Sequence, residues 1–323
     1  MTKVYACYNK SDSIRNRSSS GGIFYLLASY VLNQNGVVYG AAFDENYNVY
    51  HKAITSEELL DEIMRSKYVQ SDIGKTYQEA QEYAKNGRKV LFAGTPCQIA
   101  GLKALVGANE NIITVDFICH GTPNRIAWSK YLSAISNGEK VKSVNFRDKS
   151  KGWGEYSIKI ECSNRTHLKS KYDDPYLRAF TSDLILRKSC YSCQHRGIDR
   201  KSDITIADFW GVKASHPNVY KKDGTSAVIT HSRIGELLFE EIKNNIVYEE
   251  SDIEIVKKNN SSIVTSPKVN EKRDEFMAKL EKTDEANEVL KLFEEYTKVS
   301  MLTRIKSVLA SKLRSVLRRI KII

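Results

Sequence analysis

Between residues 89 and 138 the chain alternates in a way that leaves few folds open. "KVLFAG" is an apolar run closed by glycine, and "TPCQIAGLKALVG" continues it with helical spacing behind a Thr-Pro start. "NIITVDFI" is a second apolar run, and "NRIAWSKYLSAISNG" a second helical stretch. Strand, helix, strand, helix in this order predicts neighbouring parallel strands joined by crossover helices. Around this centre, "VVYGAAFD" and "YNVYHKAI" predict a hairpin. "VKSVNFRDK", "EYSIKIEC" and "RTHLKSK" predict antiparallel strands, and "DITIADFW" and "SAVITHS" predict buried ones. "NRSSSGGIFYLLASYVLNQNG" predicts a helix capped by its serines, and "TSEELLDEIM" and "SDIGKTYQEAQEYAKNG" predict two more. From about residue 233 the chain reads as mostly helical and highly charged. The expected fold is α/β, a mixed and partly parallel sheet with flanking helices plus a helical C-terminal region. No repeat or low-complexity linker interrupts it. The expected organisation is one domain over residues 1–250, a helical extension over 251–297 and a basic tail over 298–323.

Charge separates the tail from the body. The net charge is +11, and eight Lys or Arg with no acid lie from Lys298 onward, which leaves +3 for the preceding residues. A nucleic-acid binder carries its basic excess on the folded domain. Here the excess is appended, so no nucleic-acid partner is expected. The start "MTKVYACYNKSDS" lacks the pattern of a signal peptide, and the apolar stretch at 22–32 is too short to span a bilayer. The expected location is the cytoplasm, where cysteines stay reduced and paired ones bind metals or do redox chemistry.

Six cysteines are too few for a disulfide scaffold in 323 residues. Cys190 and Cys193 in "KSCYSCQHRG" have the spacing of two metal ligands. Cys97 follows a predicted strand at the first turn of a helix, and Cys119 directly follows the next strand. If those strands are parallel neighbours, both cysteines lie beyond the carboxyl ends of the strands, where open α/β sheets bind ligands. A helix N-terminus also favours a thiolate. Cys97, Cys119, Cys190 and Cys193 can therefore converge, and four thiolates suit either structural zinc or an iron–sulfur cluster. Cys7 and Cys162 sit in strand patterns and read as core residues.

Seven segments carry a resemblance. "RSSSGG", "SKYVQS", "GTPCQIAGL", "CHGTP", "FRDKSKGW", "CYSCQHR" and "SDITIADFWG" stand in the order seen in the beta subunit family of coenzyme F420 hydrogenases and dehydrogenases. The chain resembles that family from about residue 4 to about residue 240. The resemblance implies FAD and a 4Fe–4S cluster, with the cluster on Cys97, Cys119, Cys190 and Cys193. Many relatives begin with a ferredoxin-like domain that holds further clusters, and no such cysteine-rich segment is present here. The expected partner is therefore an external electron carrier such as ferredoxin or a reduced deazaflavin. The family also includes proteins acting on chlorophyll derivatives or encoded with surface-polysaccharide genes. The substrate is thus expected to be a small molecule, with surface polysaccharide biosynthesis among the settings, and its identity stays open.

No G-x-G-x-x-G follows the first strand and there is no phosphate-binding P-loop. Instead Arg17, Ser18, Ser19, Ser20, Gly21 and Gly22 stand at the start of a predicted helix. By themselves they read equally as an ordinary helix start. With the resemblance they become the expected cradle for the FAD pyrophosphate. Lys67 and Gln70 in "RSKYVQS" are candidate phosphate or isoalloxazine contacts. His120, Arg147 and Asp148 are the candidate catalytic residues, with Asp208 and Trp210 beside them. Lone histidines and buried ion pairs are also common as plain structure. His195 and Arg196 are expected to tune the cluster. The expected function is a flavin- and iron–sulfur-dependent oxidoreductase. A zinc-stabilised scaffold and a non-redox sugar-modifying enzyme on the same fold are the rivals.

In the tail, Leu302, Ile305, Leu309, Leu313, Val316, Leu317 and Ile320 recur at three- and four-residue steps. Arg304, Arg314, Arg318 and Lys321 fall on the opposite side, with no acid among them. Such a helix suits the surface of an anionic membrane, where each basic residue contributes on the order of 1 kcal/mol. Peripheral attachment at the inner face of the membrane is the expectation. Deleting residues 299–323 should abolish sedimentation with anionic liposomes at low salt, and unchanged sedimentation of the truncated chain would rule the attachment out.

Overall fold

The computed structural model describes residues 2–298. The basic tail predicted from the sequence lies outside the described residues. In chain order, β1 (Lys3–Asn9), α1 (Asp12–Arg17) and α2 (Ile23–Asn33) lead into the hairpin β2 (Val37–Phe43) and β3 (Val49–Ile54). Helices α3 (Leu60–Ile63) and α4 (Thr76–Lys85) precede β4 (Val90–Ala93), α5 (Pro96–Val106) and β5 (Ile112–Phe117). Then come α6 (Arg125–Ser136), β6 (Val141–Asp148), β7 (Ser157–Cys162), β8 (Thr166–Ser170) and α7 (Pro175–Thr181). The chain returns through β9 (Ile204–Asp208), α8 (Val212–Ser215), β10 (Ser226–Thr230), α9 (Arg233–Ile242) and β11 (Ile246–Ser251). It ends in α10 (Ile253–Asn259), α11 (Arg273–Glu281) and α12 (Ala286–Thr297).

The main sheet has eight strands in the order β11-β1-β10-β9-β5-β4-β2-β3. β2, β4, β5 and β9 are mutually parallel neighbours, and β3, β10, β1 and β11 add antiparallel pairings at the two sides. Strand residues alternate between the two faces. Val38, Leu91 and Ile113 pack with Leu27 and Val31 of α2 and Phe239 of α9, whereas Val37, Val90 and Phe92 pack with Ala80 of α4 and Leu102 of α5. Two expectations are corrected here. Residues 246–251, read as part of a helical region, form β11 against β1. And the serines at 18–20 do not cap α2, which starts at Ile23 behind a left-handed Gly22 with no side-chain cap.

Between β5 and β9 the chain inserts a second module. Its three-stranded antiparallel sheet, in the order β6-β7-β8, packs with α6, α7, α11 and α12 around Trp128, Tyr131, Tyr176, Phe276 and Phe293. Helices α11 and α12 thus share a core with residues more than a hundred positions earlier. No helix among the described residues is long and apolar enough to cross a membrane.

The return into the main sheet is fixed by a buried carboxylate. Asp203 Oδ2 accepts from the Thr114 amide at 2.8 Å, Thr114 Oγ1 at 2.6 Å and Lys103 Nζ at 3.2 Å, while Oδ1 accepts from Ser232 Oγ at 2.7 Å. One side chain so ties β5, β9, α5 and the start of α9. Replacing Asp203 with Ala strands several of these donors in the interior, where each unmade bond costs on the order of 1–3 kcal/mol. The D203A chain should lose about 3–5 kcal/mol in urea unfolding, the range for breaking a buried charged pair. A loss under about 1 kcal/mol contradicts this assignment.

Candidate functional site

The carboxyl ends of β4, β5 and β9 open on one edge of the sheet, and the predicted cysteines are found there. β4 and β5 are parallel neighbours, with Leu91 opposite Ile113. The β4 exit turns at Gly94-Thr95 into α5. A capping box between Thr95 and Gln98 fixes that start and holds Cys97 in the first turn. Thr95 Oγ1 lies 3.1 Å from Cys97 Sγ. β5 exits through Ile118 to Cys119. The inserted module then leaves and returns along paired legs. The Asn124 amide donates to Ile185 O at 2.8 Å and the Arg187 amide to Thr122 O at 2.9 Å. Zipping these legs together delivers Cys190 and Cys193 to the β5 exit, where the Thr122 amide donates to Cys190 Sγ at 3.3 Å. Cys97 is exposed, and the other three are half-buried. Cys7 and Cys162 are buried in two different apolar clusters.

Cys119 and Cys190 are affected by the neighbouring cysteines. Burial first, then Cys190, Cys97 and Cys193, push the Cys119 thiol up to about 12, while Arg196 pulls it down. Cys190 is also raised, by burial and by Cys97 and Cys193 against the Thr122 amide and Arg187. Arg196 is held by carbonyls, donating to His120 O at 2.6 Å and to Ser262 O. His195 is exposed. His120 Nε2 lies 2.7 Å from Asp183 Oδ1, with its ring edge-on to Phe180. Among the described residues no group of three or more His, Cys, Asp or Glu side chains is gathered so as to hold a single metal ion.

The glycine-rich loop lies next to the "RSKYVQS" segment. Arg65 Nε donates to Arg17 O at 2.9 Å, and the Ser66 amide donates to Ser19 Oγ at 2.8 Å. Several predicted contact groups have partners in the protein. Ser18 Oγ donates to Ile14 O, Ser20 Oγ donates to Thr225 O, and Arg17 Nη1 bonds both carboxylate oxygens of Asp61. Arg17 Nε is buried without a partner. Burial and the neighbouring Arg65 bring the Lys67 ammonium down to about 7; its Nζ donates to Met64 O at 2.8 Å and lies 5.5 Å from the Phe43 ring centre. The Gln70 backbone bonds Pro123 and Arg125.

The predicted neighbours Arg147 and Asp148 part company. Asp148 accepts from the amide and hydroxyl of Ser150 in a local turn. Arg147 is buried and donates from Nη1 to Asp208 Oδ2, while Trp153 Nε1 donates to Asp208 Oδ1 at 2.7 Å. The guanidinium lies 4.5 Å from the Tyr156 ring centre and 5.8 Å from that of Trp210, itself stacked on Trp153. Sequence reasoning missed Tyr156, Lys149 and Lys171 in this cluster. Only the tryptophan of "FRDKSKGW" signalled it, because tyrosines and lysines at strand ends look like ordinary surface.

Helices cover both faces of the sheet, and four cysteines lie at its carboxyl edge. Residues 87–256, just over half of the chain, match the family model for the C-terminal part of the coenzyme F420 hydrogenase/dehydrogenase beta subunit. The chain belongs to the coenzyme F420 hydrogenase/dehydrogenase beta subunit family. Among solved structures it is similar to a chain of the xenon-derivatised F420-reducing NiFe hydrogenase complex from Methanosarcina barkeri, with a TM-score of 0.54 and 15% identity, over 91% of this chain and 90% of that one. At that identity the likeness is one of fold. No curated protein matches the sequence.

The glycines of the loop have a structural task of their own. A Cβ on Gly21 would sit 2.8 Å from Cys7 O and 2.9 Å from the Ser226 amide nitrogen, so the loop lies flat against β1 and β10. Gly21→Ala should therefore cost about 1–3 kcal/mol by overpacking, read by urea unfolding. Stability equal to that of the parent would free Gly21 of this role.

Proposed function

We propose that the chain is a flavin- and iron–sulfur-dependent oxidoreductase, passing electrons between an external carrier and a small-molecule substrate. The cluster's ligands are Cys97, Cys119, Cys190 and Cys193, and FAD lies against residues 17–22 with Lys67 and Gln70 near it. The observation that carries this reading is the placement of four cysteines from three segments at one sheet edge, with the Thr122 amide on Cys190 Sγ. A 4Fe–4S cluster supplies one-electron exchange and a flavin converts it to two-electron chemistry.

The residues present fit these groups. Four anionic thiolates need compensation, and three sources face them. The first turn of α5 favours charge on Cys97, the Thr122 amide bonds Cys190 Sγ, and Arg196 favours charge on Cys119. Four thiolates suit zinc or an iron–sulfur cluster alike, and membership of the family favours the cluster. For the flavin, the uncapped N-terminus of α2 leaves amides for a pyrophosphate, with the unpartnered Nε of Arg17 close by in sequence.

Anaerobic purification with metal analysis and an absorption spectrum tests the reading. Bound flavin with iron, lost on Cys97→Ser or Cys190→Ser and kept on Cys7→Ser or Cys162→Ser, is the expected outcome. Arg17→Ala should weaken flavin retention on dialysis while sparing iron. Stoichiometric zinc in a colourless protein, or iron loss in C162S equal to that in C190S, overturns the assignment.

A further inference from the structure

Arg147 is buried, at 6% exposure, and its bonding is lopsided. Nη1 is engaged by Asp208, whereas Nε and Nη2 are buried without any partner. These two nitrogens form one edge of the planar guanidinium. That edge is the fork that grips a carboxylate or phosphate through two parallel hydrogen bonds. Leaving two charged donors unpaired in the interior is costly, and natural structures rarely do so without a reason. Tyr156 at 4.5 Å and Trp210 at 5.8 Å give the group aromatic neighbours, and the fork is left without a hydrogen-bond partner.

Two lysines stand beside the fork. Lys149 donates to two carbonyls, Arg15 O and Asp223 O, and Lys171 donates to Gly154 O, so neither spends its charge on a carboxylate. Burial first brings both ammonium groups below the usual lysine range, Lys149 to about 8, with Asp223 opposing it at Lys149, Glu155 opposing it at Lys171, and Arg147 adding to it at both. Arg147, Lys149 and Lys171 thus stand together, and of the three only Arg147 bonds a carboxylate, that of the half-buried Asp208. Lys149 also ties this cluster to the glycine-rich loop, since its partner Arg15 lies just before that loop and Gly224, beside Asp223, packs on Ser20. Trp210 and Lys171, on the outer side, are half-buried.

We propose that the Nε–Nη2 edge of Arg147, with Lys149 and Lys171 beside it, receives an oxoanion of the substrate, a carboxylate or a phosphate monoester. This inference deepens the small-molecule oxidoreductase reading and rests on it for the word substrate. The anion site itself is open to a direct binding test. Benzoate and phenyl phosphate are titrated into the full-length protein at constant ionic strength, followed by tryptophan fluorescence and calorimetry. Flavin and iron content are measured on the same samples, so a failure of the redox reading shows there and not in the titration.

Saturable binding of one probe is expected, weakened about tenfold or more in Arg147→Lys, which keeps the charge beside Asp208 and loses the fork. The tighter of the two probes identifies the oxoanion, and either preference supports the site. If R147K does not fold, as judged by near-ultraviolet circular dichroism, Lys171→Met leaves the buried pair intact and should weaken the same probe severalfold. No saturable response to either probe overturns the proposal, as does equal affinity in parent and variants. Loss of flavin in step with loss of probe binding also overturns it, because the fork would then belong to the cofactor.

Discussion

Everything at the cysteine edge depends on β9 lying parallel to β5, and that pairing rests on two buried carboxylates. Asp203, just before β9, accepts bonds from β5 and from the helices on either side of the sheet. Asp116, inside β5, bonds Arg200 at 3.3 Å and Thr205 Oγ1, and burial raises its carboxyl to about 6 despite the arginine. Backbone pairing alone could slip by a residue, which would turn every strand side chain to the wrong face. A buried charge with fixed donors on both strands cannot slip cheaply. The segment "SDITIADFWG" therefore carries register at its start and, through Asp208, charge pairing at its end.

The inserted module shows how one sheet can host a site that its own strands do not contain. β5 leads directly to Cys119, and the chain then spends about seventy residues away from the main sheet before Cys190. The legs of that excursion are bonded to each other at Thr122–Arg187 and Asn124–Ile185. The module's aromatic core, with Tyr131 and His167 both bonded to the fully buried Asp174, makes its outer end rigid. α11 and α12 close that core, and α11 also reaches the cysteine leg directly, with Arg273 on Leu186 O and the Tyr191 ring and Asp274 paired with Lys188.

Much of this was legible in the sequence. The alternation of apolar runs and helical stretches pointed to the parallel centre, because buried parallel strands and their crossover helices leave strong periodic signals. The convergence of Cys97 and Cys119 followed from strand order alone. What escaped was decided by long-range partners. β11 alternates exposed Tyr248 and Glu250 with half-buried Val247, Glu249 and Ser251 in "IVYEES", a weak edge-strand signal among charged helices. Serines that look free in "RSSSGG" are engaged by Ile14, Ser66 and Thr225. Arg147 stands beside Asp148 in sequence, yet its carboxylate partner is Asp208, sixty-one positions away.

The same excursion has a consequence in time. Cys97 and Cys119 belong to a local strand-helix-strand unit, whereas Cys190 and Cys193 reach them only after a long loop has closed and the module has packed. Closing such a loop costs chain entropy that grows slowly with its length, and contacts between distant segments form late. A nascent chain released before the module is complete holds two of the four thiols beside each other and lacks the others. Assembly of the full edge is thus ordered by the architecture itself: the half that is near in sequence waits for the half that is far.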